Sequence, residues 1–148
     1  MAESTPLRQI KPAKGILEYL AIRKIRNDNR MFMTADTKKI SVFHQLMFCW
    51  FMPKDFSLYV CTEYGKVVGY MLLRKKQDTY LITEAVDRRY RGMGIASDMI
   101  QFAQLLCKRL AADILNTNIA SINLHEKMGF KLKIYTSYKK TYVWESPL

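Results

Sequence analysis

The chain has 148 residues, of which 49% are hydrophobic, and a formal net charge of +11. This length suits one domain with a single core, and the hydrophobic content excludes a disordered chain. The positive charge predicts an acidic partner, such as a nucleic acid, an anionic membrane or a polyanionic small molecule, unless the basic groups only form a solvated surface. We expect one domain over residues 1–148, with residues 1–6 as a loose start.

The cysteines and the apolar runs indicate the compartment. The three cysteines are an odd number without metal-ligand spacing and lie among apolar residues; they are Cys49, Cys61 and Cys107. We expect free core thiols and no metal site. The first residues carry no secretory signal pattern, and the longest apolar run, residues 43–52, is too short to cross a bilayer. These features predict a cytoplasmic protein without a membrane span.

The amino-terminal third predicts one strand and two helices. Residues 7–10 suit a short strand, and apolar positions between residues 15 and 25 recur at helical spacing. A dense polar run follows at residues 23–30. Ser41 is a suitable N-cap for the second helix, which Pro53 ends. The apolar stripe of this helix predicts its buried face: Phe43, Leu46, Met47 and Trp50. His44, beside the stripe, is expected at the surface or boundary.

The middle of the chain predicts an antiparallel meander of three strands. These strands are residues 58–61, 67–73 and 79–86. A hairpin turn at Gly65 joins the first two, and a polar turn at residues 74–78 joins the last two.

A glycine turn follows the third strand and leads into a helix. The first N–H groups of a helix have no partner within it and lie at the positive end of its dipole, so they favour an anion. Gly92 and Gly94 allow close approach of a ligand to the backbone, and Arg88, Arg89 and Arg91 add positive charge. This stretch therefore predicts a phosphate or pyrophosphate site.

The carboxy-terminal part predicts a parallel βαβ unit. The helix after the turn has an apolar face made of Ala96, Met99, Ile100, Ala103, Leu106, Cys107 and Leu110. Residues 111–115 are short and apolar, as in a central strand. Asn118 and Ser121 open a further helix that ends at Gly129, and residues 130–134 and 141–144 predict two closing strands. The predicted fold is α/β: a central mixed sheet with an antiparallel meander followed by the βαβ unit, flanked by about four helices and not doubly wound.

Two motifs identify a family. The turn matches no common phosphate motif, but Arg91-Gly-Met-Gly94-Ile-Ala96 fits the pattern Q/R-x-x-G-x-G/A. Further on, Asn118-Ile-Ala-Ser-Ile-Asn-Leu-His-Glu-Lys-Met-Gly-Phe130 is similar to a stretch with an Asn, a Ser, a Leu-Tyr pair and a Gly-Phe ending. On these motifs, residues 58–130 resemble the GNAT superfamily of acyl-CoA N-acyltransferases.

The resemblance implies a GNAT-like fold with acetyl-CoA as co-substrate, lying in a gap between strands 79–86 and 111–115. The turn would bind the pyrophosphate, the strand before it would pair with the pantetheine arm, and the second motif would contact the arm or the adenine side. The implied cofactor-binding residues are Ala85, Val86, Arg91, Gly92, Met93, Gly94, Ile95, Ala96, Asn118 and Ser121.

The resemblance also implies direct transfer of the acetyl group to an amine. The ammonium must lose a proton, and the departing thiolate must gain one or be stabilised. Glu84 is the candidate base, directly or through a held water, unless it faces solvent or pairs with an arginine. His125 replaces the family's tyrosine acid and can donate a proton near neutral pH, unless it lies on the helix surface. Tyr135 and Tyr138 are alternative donors.

The acceptor side is expected in the amino-terminal half. The pattern Arg26-Asn27-x-x-Arg30-x-x-Met33, followed by Ile40-Ser41 and Trp50, is similar to a GNAT subgroup that includes enzymes acetylating nucleotide-linked amino sugars. This implies acceptor contacts by Arg26, Asn27, Arg30 and Trp50, and arginines suit a phosphate or carboxylate. The alternatives are solvation of a helix end for the polar residues and core packing for Trp50.

We therefore expect an acetyl-CoA-dependent N-acetyltransferase of a small anionic amine, such as an amino sugar nucleotide. Two other interpretations stay open: acetylation of a protein amino terminus or lysine, and a basic nucleic-acid-associated protein on the same fold. The latter rests on charge alone, because no groove-reading motif is present. The oligomeric state is open, a homodimer included.

Overall fold

The structure is a computed structural model that describes residues 7–34 and 36–148, so the loose start predicted for residues 1–6 lies outside it. Two short 3-10 turns, Arg30–Phe32 and Arg88–Tyr90, accompany the helices and strands. In chain order these are β1 (Arg8–Pro12), α1 (Ile16–Asp28), α2 (Val42–Trp50), β2 (Phe56–Glu63), β3 (Lys66–Lys76), β4 (Thr79–Val86), α3 (Ile95–Leu106), β5 (Arg109–Leu115), α4 (Ile119–Lys127), β6 (Lys131–Tyr135) and β7 (Lys139–Glu145).

The seven strands form one sheet in the order β1-β2-β3-β4-β5-β7-β6. Only β4 and β5 run parallel, and α3 makes the crossover between them. The other neighbours are antiparallel, including the meander β2-β3-β4. The predicted fold class, a mixed sheet that combines a meander with a βαβ unit and four helices, is confirmed.

The sheet is nearly divided between β4 and β5. These strands pair only at Tyr80 with Leu110 and at Leu81 with Ala111. On their other edges, β4 is paired along its length with β3, and β5 with β7. The carboxyl halves of β4 and β5 therefore separate, and a gap opens in the middle of the sheet, at the position that the family resemblance implies.

Apolar side chains form one core cluster on each face of the sheet. One contains Met99, Ile100 and Ile122 from α3 and α4, and the other contains Ile22 and Ile25 from α1. Side chains alternate along a strand, so the strands supply both clusters. The three cysteines are buried and free, as expected.

Helix α2 faces the core with a side that the sequence does not predict. Ser41 caps it as expected, because its Oγ accepts the N–H of His44 at 3.1 Å. The buried residues, however, are Gln45 and Cys49, whereas Trp50 is 56% exposed. Gln45 faces inward because its Nε2 donates to the carbonyl of Tyr19 in α1, at 3.0 Å. The expectation that Trp50 packs in the core is therefore wrong.

The end of α3 also differs from the prediction. Cys107 terminates the helix, with its N–H bonded to Ala103, and Leu106 is exposed. Leu110, expected on the helix face, instead lies in β5, because Arg109–Leu115 pairs with β7. Within the described residues, no helix is long and apolar enough to cross a membrane.

Candidate active site

A cleft of about 670 Å³ opens where β4 and β5 separate. Its walls come from the carboxyl half of β4, the glycine turn, the start of α3, the middle of β5, and α4. The end of α1 and the segment that follows it close the cleft from the other side, with Phe32, Met33, Thr34 and Asp36. The cleft thus has two walls of different origin, which we name after the ligands that the family resemblance implies: the donor wall (β4, the glycine turn, α3 and α4) and the acceptor wall (residues 26–34 and Asp36).

The glycine turn has the backbone of an anion site. Gly92 and Gly94 have φ angles of +78° and +79°, which favour glycine. Gly94 is the N-cap of α3, so the first N–H groups of this helix are free of intrahelical partners. Five of the turn residues with a predicted cofactor role line the cleft: Arg91, Gly92, Gly94, Ile95 and Ala96. Met93 does not line it.

Arg91 turns its side chain towards the acceptor wall. Its Nη2 donates to Asn29 Oδ1 at 2.6 Å, and its guanidinium lies 5.7 Å from the ring centre of Phe32. Asn29 is buried and donates through Nδ2 to the carbonyls of Ile25, at 2.8 Å, and Val86, at 3.2 Å. One amide therefore joins the end of α1 to the end of β4 and to the turn. Asn29 is not among the residues predicted for the site, because its only signal in the sequence is its place in a polar run.

Glu84 and His125 meet at the base of the cleft. The distance between Glu84 Oε1 and His125 Nε2 is 3.1 Å, an ion-pair distance, although the two groups are not aligned as a hydrogen bond. The His125 side chain is 1% exposed and that of Glu84 9%. The structure thus brings together the two predicted catalytic residues, and His125 is not a surface residue of its helix.

The surroundings of His125 favour a charged imidazole. Burial alone would lower the pKa of His125, but attraction to Glu84 and the bond to Ser121 outweigh it, and the pKa is raised above its ordinary value of 6.5. Nδ1 lies 2.7 Å from the carbonyl oxygen of Ser121, which can only accept a hydrogen bond, so Nδ1 is the donor. Nε2 then faces a carboxylate and also needs a proton. The pair therefore retains a proton to higher pH than a free histidine would.

Asn118 and Ser121 fix the start of α4. The Asn118 side chain accepts the N–H of Ser121 at 3.3 Å, and both residues line the cleft. Ala85 and Val86, from the end of β4, line it as well. The predicted cofactor-binding residues other than Met93 therefore lie around one cleft.

The predicted acceptor residues are more dispersed. Arg26 lines the cleft, but its guanidinium donates to the carbonyls of Asp36, at 2.6 Å, and Lys38. Asn27 holds the backbone of Ile40 through two hydrogen bonds, of 2.8 and 3.0 Å. Arg30 and Trp50 do not line the cleft. Arg26 and Asn27 thus bind the segment before α2 in this structure.

Comparison with known proteins agrees with this geometry. The model of the acetyltransferase (GNAT) family matches residues 20–130. The chain belongs to the GNAT acetyltransferase family. The predicted superfamily and enzyme class are confirmed. No curated protein sequence matches the chain significantly. Among the described residues, no group of three or more His, Cys, Asp or Glu could hold a metal ion.

Solved GNAT structures resemble the chain over nearly its whole length. An N-acetyltransferase from Staphylococcus aureus Mu50 is 27% identical, with a TM-score of 0.79 over 93% of this chain and 98% of that one. A phosphinothricin acetyltransferase from Sinorhizobium meliloti, solved with acetyl-CoA, is 15% identical, with a TM-score of 0.79 over 95% and 89%. A ribosomal-protein-alanine N-acetyltransferase from Brucella melitensis is 21% identical, with a TM-score of 0.73 over 93% and 99%. The last two comparisons show a shared fold only.

Proposed function

We propose that this protein is an N-acetyltransferase that transfers the acetyl group of acetyl-CoA directly to a primary amine. The buried pair of Glu84 and His125 is the observation that carries the proposal. It places a carboxylate and a histidine, 3.1 Å apart, beside an anion-binding turn in one cleft. The family membership and the acetyl-CoA in a related structure support the choice of donor.

The donor would lie along the donor wall. The free N–H groups around Gly94 suit its pyrophosphate. The pantetheine arm would follow the end of β4, whose edge towards β5 is unpaired beyond Leu81. Asn118 and Ser121, at the start of α4, would flank the arm. This arrangement would bring the thioester towards Glu84.

The chemistry needs one proton acceptor. In the proposed reaction, Glu84 takes a proton from the substrate ammonium, and the freed nitrogen lone pair attacks the thioester carbonyl carbon. The C–S bond then breaks, and a second proton from the nitrogen passes to the departing sulfur. The proton on the Glu84–His125 pair leaves to solvent, so the products are the amide, the thiol and one proton.

His125 is suited to hold Glu84 in place as a carboxylate. Its ring nitrogens face acceptors inside the protein, the Ser121 carbonyl at Nδ1 and the Glu84 carboxylate at Nε2. We therefore assign the charged imidazole to orienting Glu84, at the position where most of the family would use a tyrosine acid. Tyr135 and Tyr138, the alternative acids, are exposed and do not line the cleft.

The test is thiol release from acetyl-CoA with a panel of amines. Glu84→Gln should lower kcat by about 100-fold or more, the usual scale of a general base. Glu18→Gln removes a carboxylate of α1 outside the cleft and should leave kcat unchanged. If no amine releases thiol and acetyl-CoA does not bind, the proposal is wrong. Equal kcat values for Glu84→Gln and Glu18→Gln would remove Glu84 from the reaction.

For the acceptor, we propose a small anionic amine such as an amino sugar nucleotide. The support is the similarity of residues 26–50 to a subgroup with such substrates, together with the net charge of +11. The amine panel should therefore include amino sugar nucleotides, simple amines and peptides with free amino termini or lysines. Turnover of peptides alone would favour the protein-amine alternative, and salt-dependent DNA retention without turnover would favour a nucleic-acid partner. A cytoplasmic location stays our expectation.

A further inference from the structure

Arg8 of β1 reaches from the edge of the sheet to the glycine turn. Its guanidinium binds three acceptors on three different elements. Nη1 donates to Asp98 in the first turn of α3 at 2.6 Å, and Nη2 to the carbonyl of Met93 at 2.9 Å. Nε and Nη2 bind Glu63 Oε1 at 3.0 and 2.7 Å. The guanidinium also lies directly behind Gly94, since a Cβ on that glycine would be 3.8 Å from Nη1.

The bond to Met93 determines the direction of a cleft-side donor. The Met93 carbonyl and the Gly94 N–H belong to one peptide unit, and the chain has no cis peptide within its described residues. In a planar trans peptide these two groups point in opposite directions. By holding the carbonyl on the β1 side, Arg8 directs the Gly94 N–H to the other side, and Gly94 lines the cleft whereas Met93 does not.

The two ion pairs remove a charge conflict at the same place. Asp98 lies in the first turn of α3, where a carboxylate would repel a bound pyrophosphate. Glu63 is 13% exposed and would be a poorly solvated charge without a partner. Arg8 offsets both carboxylates with one guanidinium, and its hydrogen bond to Asp98, together with the bond to Glu63 and the two charges, raises the pKa of Arg8. It therefore stays charged wherever the protein is folded.

We propose that Arg8 is a positioning residue for the pyrophosphate of the donor: it orients the Met93–Gly94 peptide and shields the anion from Asp98. It does so from outside the cleft, without contact to the donor. This inference rests on the proposed function, because it takes the turn to be the pyrophosphate site of acetyl-CoA.

The experiment compares acetyl-CoA with acetyl-pantetheine, a donor that has the thioester but no pyrophosphate. Arg8→Gln should raise KM for acetyl-CoA about tenfold, the scale of one lost charge-assisted donor, with little change in kcat. Its kcat/KM for acetyl-pantetheine should stay close to that of the unchanged chain. If Arg8 had a merely structural role, the substitution would lower kcat/KM for both donors by the same factor. This outcome would overturn the inference.

Arg74→Gln is the matched control. Arg74, in β3 and outside the cleft, forms an ion pair with Asp55 at 3.3 Å. Loss of this ion pair should not alter the preference for acetyl-CoA. If Arg8→Gln fails to fold, the double variant Arg8→Gln/Glu63→Gln removes the unpaired carboxylate and should recover folding but not the preference. If the unchanged chain uses neither donor, the proposed function itself fails. If it prefers acetyl-CoA and Arg8→Gln retains that preference, only the role of Arg8 is lost.

Discussion

The two walls of the cleft use their polar residues differently. On the donor wall, backbone groups of the glycine turn and the side chains of Glu84 and His125 are directed to the cleft. On the acceptor wall, Arg26 and Asn27 are occupied with the carbonyls and N–H groups of residues 36–40. The donor wall is therefore ready for a ligand, whereas the acceptor wall is ordered by its own contacts. Asn29 joins the two walls, because its side chain forms hydrogen bonds with Arg91 and with the carbonyl of Val86.

A backbone geometry and a set of polar side chains are therefore not equivalent signals of a binding site. A glycine turn before a helix has one physical use for its free N–H groups. An arginine in a polar run can bind a ligand or a nearby carbonyl with equal ease, and here Arg26 binds carbonyls.

Gly94→Trp should abolish acetyl-CoA binding. The substitution places a side chain at a φ of +79° and directs its Cβ towards Arg8 Nη1, 3.8 Å away, so the turn that holds the free N–H groups must distort. We expect affinity at least about 100-fold weaker by calorimetry, because several N–H contacts are lost together. Gly65→Trp, at the same φ of +79° in the β2–β3 hairpin, is the matched control. It should lose stability but keep affinity, and equal losses of affinity would contradict the site.

Asn29→Ala should affect both walls, whereas Asn27→Ala should affect one. Loss of the buried Asn29 amide leaves Arg91 and the Val86 carbonyl without a partner, so the free energy of unfolding should fall by about 1–3 kcal/mol and KM for acetyl-CoA should rise. Asn27→Ala releases the backbone of Ile40 and a long contact with Arg26, of 3.5 Å, so KM for the amine should change and the affinity for acetyl-CoA should not. Identical kinetic profiles for the two variants would break the distinction between the walls.

The Glu84–His125 pair should make stability depend on pH. The pKa of His125 is raised on folding, so the folded chain binds the proton more tightly. The stabilisation is complete below the ordinary value of 6.5 and is lost as the pH rises through the raised pKa. Each unit of that rise corresponds to about 1.4 kcal/mol.

Urea unfolding over about pH 6 to 9 measures this slope. Glu84→Gln should remove most of it, because burial then dominates and the pKa of His125 falls. His44→Gln, a change at the exposed histidine of α2, should retain it. The chain has 2 histidines, so NMR titration of the imidazoles can assign the effect to His125 directly. A slope unaltered by Glu84→Gln would mean that the two groups are not coupled.

Trp50→Ala should have the smallest effect on stability. A side chain that is 56% exposed on α2 should contribute within about 0.5 kcal/mol, as surface residues do. Ile22→Ala, on the buried face of α1, should instead cost about 2–5 kcal/mol. Urea unfolding of both variants measures the contrast. If Trp50→Ala raises KM for the amine without loss of stability, Trp50 contacts the acceptor. If it lowers the free energy of unfolding as much as Ile22→Ala does, Trp50 packs in the core.

Local signals predicted much of the fold. The third strand, Thr79–Val86, and the caps at Ser41 and Asn118 follow from short patterns of apolar residues and capping residues, whereas the gap beside β5 is implied by the family resemblance. The face of α2 does not, because it depends on a hydrogen bond from Gln45 to a backbone carbonyl 26 residues away.

The same reason explains what was missed in the site. Arg8 meets Met93 across 85 positions of the sequence, and Asn29 meets Arg91 across 62. No periodicity or spacing connects such partners. Glu84 and His125 were identified separately, from a strand and from a family motif, and only the fold shows that they are 3.1 Å apart.

The two-pair junction between β4 and β5 also makes the sheet incomplete without its donor. Beyond Leu81, the amides of β4 that point away from β3 have no partner strand to bind. A pantetheine arm in the gap would bind these amides and bridge the part of the sheet that ends at β4 to the part that begins at β5. Hydrogen exchange at these amides should therefore slow on donor binding. Release of the product would break these hydrogen bonds and separate the two parts again.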